Sequence, residues 1–554
     1  MSEDIVIDQI KEEVLASTLI WTPALSTLLG VAVAIFLFEI WVKNSRNYKL
    51  CENIPGPRRL PFIGNAHMFI NKGSEEIMAT AIKCHKLYGK TVCGWLGPWQ
   101  IVFLTDPADI ELILSSNEHL EKSDEYRYFQ PWFGDGLLIS KGHHWKHHRK
   151  MIAPTFHQSI LKSFVPTFVQ HSKQVVQRLS KENGKEFDVH EYMSQVTVEI
   201  LLATAMGVKQ LPEGNKCLEY AQAVLDMCDI IHKRQTKFYY RLDAMFNMTP
   251  LSKKGEKMMD IILGMTRKVV SDRQKNFNAD SRAIVEDQKE VDKQRQQAKK
   301  EGLRDDLDDI DEEDVGVKKR LALLDAMMAM SKNPDIQWTE RDVLDEVNTI
   351  MFEGHDTTSA GSSFVLCMLG IHKDVQAKVL AEQEAIFGSN FSRDCTFADT
   401  LEMRYLERVI METLRLYPPV PIIARKAGRD VRLASGPYVI PKDTTVVIAQ
   451  YAVHRNERAY PNPHEFNPDN FLAENMSKRH YYSFIPFSAG PRSCVGRKFA
   501  MLKLKVLLST ILRNYSVNCN LKESEFKMQG DIILKMANGF NISLEKRAGV
   551  SQTM

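Results

Sequence analysis

The sequence predicts a mainly α-helical protein that follows an N-terminal transmembrane anchor. Most of its 554 residues carry long apolar periodicities of helical type, and strand-like runs are few. The apolar run 19–42 is long enough to cross a bilayer. Apolar residues make up 44% of the chain and charged residues 26%, which is typical of a globular protein with a large core.

The net charge and the cysteine pattern bear on which partners the protein has and which redox compartment it occupies. A formal net charge of +2 argues neither for nor against a polyanionic partner, and we expect no nucleic acid ligand. The nine cysteines are an odd number, and no C-x-x-C pair occurs among them. This pattern favours a reducing compartment over a disulfide framework.

The run 19–42 is predicted to be a retained single-pass anchor. Trp21 and Trp41 lie near its ends, as interfacial tryptophans do, and basic residues follow it. The positive-inside rule places those basic residues in the cytosol and residues 1–18 in a lumenal tail. A cleaved signal peptide or a buried helix is the alternative, but the run has no basic region before it and no clear small-residue cleavage site after it.

Residues 43–64 are predicted to be a basic flank and a rigid hinge, because Ile54-Pro-Gly-Pro57, Pro61 and Gly64 cannot continue a helix. The body would then span 65–554. Within it, 91–104 is rich in Val, Ile, Trp and Phe and predicts one or two short strands.

A charged insertion is predicted at about 281–320. Its first half is mainly basic, and eight of the ten residues in 305–314 are acidic. Such a segment buries little apolar area, so we expect a solvated excursion. It is either a loop without function or a docking segment for a partner or the membrane surface.

Histidines at helical spacing raise the question of a metal site within 142–150. His143 and His147, like His144 and His148, have the i, i+4 spacing that can bind zinc. No acidic or cysteine third ligand is nearby in sequence, so a basic helical face is the favoured interpretation.

One long helix is predicted from Thr339, which forms a capping-box variant with Asp342, to about Lys373. Its length would be roughly 50 Å at 1.5 Å per residue. Polar residues interrupt its apolar middle at Phe352-Glu-Gly-His-Asp-Thr-Thr-Ser359. Glycine weakens a helix there and threonines bond back to carbonyls, so we expect a local distortion that marks a functional site. A purely structural kink is the alternative.

The segment Phe487-Ser-Ala-Gly-Pro-Arg-Ser-Cys-Val-Gly496 is the most distinctive in the chain. Gly490 and Gly496 remove side-chain bulk around Cys494, so a flat cofactor could approach the backbone. A predicted helix follows, and its N-terminus would stabilise a thiolate. Arg492 offers a fork suited to a carboxylate. A cysteine alone would more often be a small buried apolar residue.

The pattern F-x-x-G-x-R-x-C-x-G resembles the haem-thiolate loop of the cytochrome P450 superfamily. The resemblance implies a helical triangular prism with a small β portion, and haem b lying between the long helix and this loop. Cys494 would be the iron ligand and Arg492 would bind a propionate. A thiolate ligand pushes electron density toward bound oxygen and favours O–O cleavage.

Further motifs extend the resemblance. The family's A/G-G-x-D-T-T motif implies that Asp356 and Thr357 deliver protons to bound oxygen. Glu353 replaces the usual alanine or glycine, and in family four a glutamate here can form an ester with a haem methyl. A carboxylate paired to a neighbour is the alternative. The family's W-x-x-x-R motif implies propionate contacts for Trp145 and Arg149.

The E-x-x-R motif matches Glu412 and Arg415, a pair that the resemblance makes structural. Its usual third member is an arginine in a P-x-R-F loop, but Asn470 occupies that position here. We expect the pair to bond to an amide or to backbone, with Arg455 as a substitute. Arg425 falls where the family has another propionate-binding arginine.

The resemblance is to family four and to its insect G subfamily. It implies a monooxygenase of long-chain aliphatic lipids that oxidatively decarbonylates fatty aldehydes to cuticular hydrocarbons. Alternatives are a fatty-acid ω-hydroxylase, a xenobiotic- or hormone-metabolising monooxygenase, an electron-independent isomerase or dehydratase, and a haem-binding sensor or electron carrier. The intact Asp356-Thr357 pair argues against the isomerase.

The same resemblance implies a setting and partners. The anchor, flank and hinge indicate the endoplasmic reticulum membrane with a cytosolic body. The electrons would come from NADPH through the FMN/FAD flavoprotein NADPH-cytochrome reductase, with a cytochrome b-type protein as a further donor. Lys146 and Lys150 could form a landing surface for an acidic redox partner.

Overall fold

The computed structural model describes residues 25–277, 321–388 and 390–547. The predicted lumenal tail, the start of the anchor and the charged insertion at 281–320 lie outside the described residues. Helix predominates in the described part, with several small sheets, as the sequence predicts.

The helices of the described chain differ widely in length, from single turns to eight or nine turns. They are α1 (Leu25–Asn44), α2 (Arg46–Cys51), α3 (Ser74–Tyr88), α4 (Pro107–Leu114), α5 (Gln130–Phe133), α6 (Gly142–Ile152), α7 (Gln158–Leu179), α8 (Val189–Ala203), α9 (Lys216–Thr236), α10 (Asp243–Asn247), α11 (Pro250–Asn276), α12 (Leu323–Ser331), α13 (Glu340–Ile371), α14 (Lys373–Phe387), α15 (Phe397–Glu402), α16 (Arg404–Leu416), α17 (Gln450–Val453), α18 (Ala473–Met476) and α19 (Arg497–Asn514).

The strands are short and form four small sheets. They are β1 (Thr91–Leu96), β2 (Trp99–Leu104), β3 (Phe187–Asp188), β4 (Ile423–Lys426), β5 (Val431–Arg432), β6 (Val439–Ile440), β7 (Thr445–Ile448), β8 (Tyr515–Asn518), β9 (Met528–Gly530), β10 (Leu534–Met536) and β11 (Asn541–Lys546). Their orders are β1-β2-β7-β4, β10-β9, β3-β11-β8 and β5-β6. The segment 91–104, predicted to hold one or two short strands, forms the antiparallel hairpin of β1 and β2 with Leu96 opposite Trp99.

Helix α1 is apolar and exposed. Its mean hydropathy is 2.2, and its length and composition are sufficient to cross a membrane. The Arg59 guanidinium binds Glu39 of this helix at 3.0 Å and lies 4.9 Å from the ring of Trp95 in β1. The hinge is therefore fixed between the helix and the first sheet, and the helix fits a membrane anchor.

The central helix α13 begins as predicted. The N–H of Asp342 donates to Thr339 Oγ1 at 3.1 Å, and the N–H of Thr339 donates to Asp342 Oδ2 at 2.7 Å. The helix is continuous through 352–359, so the polar segment does not break it. The threonine hydroxyls do bond back as expected: Thr357 Oγ1 donates to the Glu353 carbonyl at 2.8 Å.

Close packing around α13 explains the glycine in its middle. A Cβ on Gly354 would lie 2.9 Å from Leu201 of helix α8, which crosses α13 at this level. Helices α8, α9, α11 and α16 also pack on α13, so it runs through the largest apolar core. One face of the helix is thus held against the core, and Glu353 and Thr357 are left to line a cavity.

Candidate active site

A cavity of about 540 Å³ lies between helix α13 and the loop before helix α19. Its polar lining includes Cys494, Glu353, Thr357, Trp145 and Arg149. Most of the rest is apolar, with side chains such as Ile77, Met78, Ile350, Phe352, Val420 and Ile533. The structure therefore brings residues from distant motifs to the walls of one apolar chamber.

The cysteine loop is shaped by backbone contacts. The N–H of Cys494 donates to the Phe487 carbonyl at 2.9 Å, which closes the loop just before α19. Gly490 has φ of +70°, and a Cβ there would lie 1.9 Å from the Leu114 carbonyl oxygen. Only glycine satisfies both the left-handed backbone and this close approach. The loop thereby presents Cys494 to the cavity.

The surroundings of Cys494 shift the pKa of its thiol. Burial, followed by the negative charge of Glu353, raises the pKa of Cys494 to about 11. A hydrogen bond from the Gly496 N–H lowers the pKa but does not outweigh burial. Stabilisation of a thiolate by the helix N-terminus stays a prediction. A bound iron ion would supply the missing charge, because metal coordination deprotonates a thiol.

Buried cations gather at one side of the cavity. Lys122 is 7% exposed and lines the cavity, and burial together with Arg425 and Arg492 holds its pKa well below the usual range. Burial and the charge of Arg425 lower the pKa of Arg492 to about 9. Arg425 Nη2 and Arg492 Nε are buried without a hydrogen-bond partner. The three cations outnumber the nearby carboxylates of Glu353 and Glu121, so the cluster suits two further carboxylates, such as the propionates of haem.

Helix α6 contributes Trp145 and Arg149 to the same wall. The Arg492 guanidinium lies 4.3 Å from the Trp145 ring centroid, and Arg149 Nη2 donates to Ser493 Oγ at 3.5 Å. Arg492 also donates to the carbonyls of Leu138 and Ser140, which fixes its fork. The predicted propionate-binding residues are therefore adjacent, although no sequence pattern had indicated Lys122.

Asp356 and Thr357, the predicted proton-delivering pair, lie in different surroundings. Thr357 and Glu353 line the cavity, and burial raises the pKa of Glu353 while nearby Lys122 lowers it in part. Asp356 is fully buried outside the cavity lining, with neither carboxylate oxygen hydrogen-bonded. Its nearest cation is Lys535, with Nζ 3.9 Å from Oδ2. The structure therefore places only Thr357 of the pair in the chamber.

A second lysine that the sequence did not indicate joins the two walls. Lys503 of α19 is fully buried, and its Nζ donates to the Gly354 carbonyl of α13 at 2.7 Å. Burial lowers its pKa to about 7. The helix after the cysteine loop is therefore tied directly to the polar segment of the central helix.

The E-x-x-R pair has the structural role expected of it. Arg415 binds Glu412 through two hydrogen bonds of 2.7 Å, and both side chains are fully buried. Asn470 Nδ2 donates to Glu412 Oε1 at 3.0 Å, so the amide takes the third position. Arg455 instead donates to the carbonyls of Tyr451 and Leu416. The expectation of an amide partner is confirmed, and Arg455 is not the substitute.

The chamber meets the requirements of a haem site: a cysteine at one wall, unpaired buried cations at its side and room for a planar group. The family model for Cytochrome P450 matches residues 54–544. The chain belongs to the cytochrome P450 family. The predicted helical P450 fold is thereby confirmed, and so is a monooxygenase with a cysteine-ligated haem.

Sequence identity to known relatives shows which branch of the cytochrome P450 family this chain belongs to. It is 68% identical over 527 residues, 95% of each chain, to Cytochrome P450 4g1 of Drosophila melanogaster. It is 47% identical over 537 residues to Cytochrome P450 4g15 of the same fly, covering 90% of this chain and 93% of that one. Identity to human Cytochrome P450 4V2 is 34% over 534 residues, 96% and 97% of the two chains.

This cytochrome P450 is therefore a member of family 4 and of its insect G subfamily. Family membership implies a redox partner such as a reductase and a lipophilic substrate.

Proposed function

We propose that this cytochrome P450 oxidatively decarbonylates long-chain fatty aldehydes to hydrocarbons, in insect cuticular hydrocarbon synthesis. The observation that carries the substrate class is the largely apolar lining of the chamber, to which Glu353 and Thr357 add polar groups. Such a chamber suits an aliphatic chain with a small polar head. Membership of the G subfamily favours the aldehyde reaction over other lipid oxidations.

The proposed reaction balances with one oxygen molecule and two electrons. The bond between the aldehyde carbon and the alkyl chain breaks, and the chain leaves as a hydrocarbon one carbon shorter. The aldehyde carbon becomes carbon dioxide, and the remaining oxygen atom becomes water with two protons. NADPH supplies the electrons through the flavoprotein reductase.

Cys494 is proposed to hold the haem iron, and haem bound there supplies oxygen activation. Lys122, Arg425 and Arg492 would bind its propionates, since the three are buried close together and the two arginines each keep an unpaired donor. Trp145 and Arg149 would complete that cradle from helix α6. Without propionates, this cluster of buried cations would be unfavourable, because buried like charges repel one another.

Proton delivery is proposed to run through Thr357 with Asp356 behind it. The Thr357 hydroxyl lines the chamber and donates to the Glu353 carbonyl, so its oxygen can accept a proton from water and pass one on. Asp356 faces Lys535 rather than the chamber, so it would resupply protons to Thr357 from the far side of α13.

Glu353 is proposed to form an ester with a haem methyl. The carboxylate oxygen would bond to the methyl carbon as one methyl C–H bond breaks, and O2 with the two electrons of NADPH would be the oxidant, leaving as two water molecules. The Glu353 side chain lines the chamber, and burial raises its pKa, as expected for a carboxyl close to a low-dielectric cofactor site. An ester would fix the haem in one orientation. That rigidity would help to hold a flexible chain in one reactive position.

The setting is proposed to be the endoplasmic reticulum membrane, with the body in the cytosol. Helix α1 fits the anchor, and further large apolar side chains are exposed in the body, among them Phe62, Trp99, Leu242, Met245 and Met248. Lys146 and Lys150 are exposed on α6, which contacts the cysteine loop through Arg149, so an acidic reductase or cytochrome b-type donor could dock there.

Product analysis tests the proposal. The full chain is reconstituted with its reductase and NADPH in lipid, and it is offered a long-chain aldehyde or the matching fatty acid. A hydrocarbon one carbon shorter, with carbon dioxide, is expected from the aldehyde. An ω- or near-ω-alcohol from the acid, without hydrocarbon from the aldehyde, would instead make the protein a hydroxylase.

Two controls separate the remaining alternatives. Omitting NADPH abolishes turnover by a monooxygenase but not by an isomerase or dehydratase. Cys494→Ala removes the proposed ligand and should be inactive with either substrate. A substrate-induced spectral shift without any product in the complete system would indicate a sensor or electron carrier.

A further inference from the structure

Three side chains that could ligate a metal ion meet between helix α6 and the first turn of α13. They are His144 and His148, one helical turn apart on α6, and Asp342 of α13. One ligand atom from each lies within 4.8 Å of the other two. His144 Nε2 is 4.0 Å from Asp342 Oδ1, and His148 Nε2 is 3.9 Å from the same oxygen.

These separations fit an ion better than they fit hydrogen bonds. Both are too long for a hydrogen bond. Ligands about 2.1 Å from a tetrahedral zinc ion lie about 3.4 Å apart. The two histidine–aspartate separations would therefore close by about 0.5–0.6 Å, and the separation between the two histidine nitrogens by up to about 1.4 Å, to enclose an ion. The rings of His144 and His148 are already close, with centroids 3.9 Å apart.

Glu346 holds His148 in position, as an outer-shell carboxylate holds a metal-ligating histidine. The His148 Nδ1 lies 2.6 Å from Glu346 Oε1, and the other Glu346 oxygen accepts the Leu137 N–H at 3.0 Å. A proton on Nδ1 leaves the Nε2 lone pair directed toward Asp342. Trp338 stacks on the same ring at 4.1 Å, so His148, which is 1% exposed, is held in this orientation.

The two carboxylate oxygens of Asp342 have different partners. Asp342 Oδ2 accepts the Thr339 N–H in the capping box at 2.7 Å. Its Oδ1 faces the histidines instead. The His148 lone pair and this oxygen are two acceptors that face each other across 3.9 Å, and such a gap is stabilised by a cation.

The site has a route for entry. The His144 side chain is 41% exposed, so an ion can arrive from solvent and keep water as a fourth ligand. His144 Nε2 now lies 3.2 Å from the Asp135 carbonyl. Ligation through Nε2 requires the ring proton to move to Nδ1, which changes no net charge.

We propose that His144, His148 and Asp342 bind a divalent transition-metal ion of the zinc class, with Glu346 orienting His148. Two imidazoles and one carboxylate are a donor set that suits zinc. The ion would tie α6 to α13, and α6 carries Trp145 and Arg149 to the chamber. Asp342 and Glu346 are remote in sequence, with 198 residues separating Glu346 from His148, so the histidine spacing alone had not indicated the site.

Zinc binding to the full chain tests the proposal. Haem-loaded protein without an affinity tag is stripped with a chelator in detergent, dialysed against graded zinc and analysed for metal content by mass spectrometry. The variants are His144→Ala, Asp342→Asn and Glu346→Gln. The matched control is His143→Ala, because His143 is exposed on the same helix and lies outside the group.

Wild type and the control should bind one zinc ion per chain with equal affinity. His144→Ala and Asp342→Asn should weaken binding at least about 10-fold, and Glu346→Gln about 10- to 100-fold through the outer shell. Haem content and melting temperature, measured for each variant, show which variants are folded. His144→Ala changes a half-exposed side chain and keeps the test usable if Asp342→Asn unfolds.

Three results would overturn the proposal. The first is a wild type that retains no zinc. The second is equal binding by all variants or equal loss in the control, which means adventitious binding only. The third is sulfur in the zinc-edge X-ray absorption spectrum, since the site supplies nitrogen and oxygen alone and sulfur would place the ion at a cysteine.

Discussion

Replacing the buried lysine Lys503 with methionine should change how stability depends on pH. Lys503 joins α19 to the Gly354 carbonyl, and its pKa falls from 10.5 to about 7 on folding. Between these two values the unfolded chain binds the proton more tightly than the folded chain. The stability of the wild type should therefore rise with pH in this window, and the variant should lack that component.

The size of the effect follows from the pKa shift. Each pH unit inside the window contributes about 1.4 kcal/mol, so moving from pH 7 to pH 9 changes the stability difference by about 2–3 kcal/mol at most. In a chain of 554 residues this corresponds to about 2–3 °C in apparent melting temperature. The Gly354 carbonyl is not orphaned in the variant, because Thr358 Oγ1 also donates to it at 3.0 Å.

Thermal melting followed by far-ultraviolet circular dichroism at pH 7 and pH 9 provides the assay. The melting temperature of wild type minus that of Lys503→Met should increase between the two pH values. Lys498→Met, an exposed lysine on the same helix, is the control and should track wild type. If the melting temperatures of wild type and Lys503→Met changed equally between the two pH values, the lowered pKa of buried Lys503 would be refuted.

Other substitutions test the chamber and its support. Glu353→Ala should release all haem into acidic organic solvent while wild type retains it, and equal extraction from both would remove the ester. Asn470→Ala should lower stability by about 1.5–3 kcal/mol, because it deletes a hydrogen bond to buried Glu412; an unchanged melting temperature would contradict that role. Gly490→Ala should abolish haem incorporation through its clash with a backbone carbonyl, whereas Gly388→Ala, also at positive φ but in open space, should not. Similar haem content in these two glycine variants would mean that the clash is relieved.

Local patterns predicted the elements that depend on neighbouring residues. The capping box of α13 and the hairpin of β1 and β2 follow from local hydrogen bonding and strand propensity, and the structure has both. The spacing around Cys494 also fixed the loop, because Gly490 is needed by its own φ angle and by one backbone contact. These features are readable because a short segment determines them.

Features that depend on packing between distant segments were missed. The sequence pattern of the helix after Cys494 did not single out Lys503, which is fully buried against α13. Lys122 has no local motif and becomes part of the chamber through its backbone bridge to Arg425. The direction of Asp356 was missed too, because residues adjacent on a helix point about 100° apart and only one of the pair faces the cavity.

The ligand assignment of Cys494 underlies the whole account, and the spectrum of the reduced carbon monoxide complex tests it most directly. Wild type should give the thiolate-type Soret band, and so should Cys84→Ala, which removes another cysteine that lines the chamber. Cys494→Ala should lose that band even where haem is retained. A thiolate-type band that persists in Cys494→Ala, or that disappears in Cys84→Ala, would contradict the assignment.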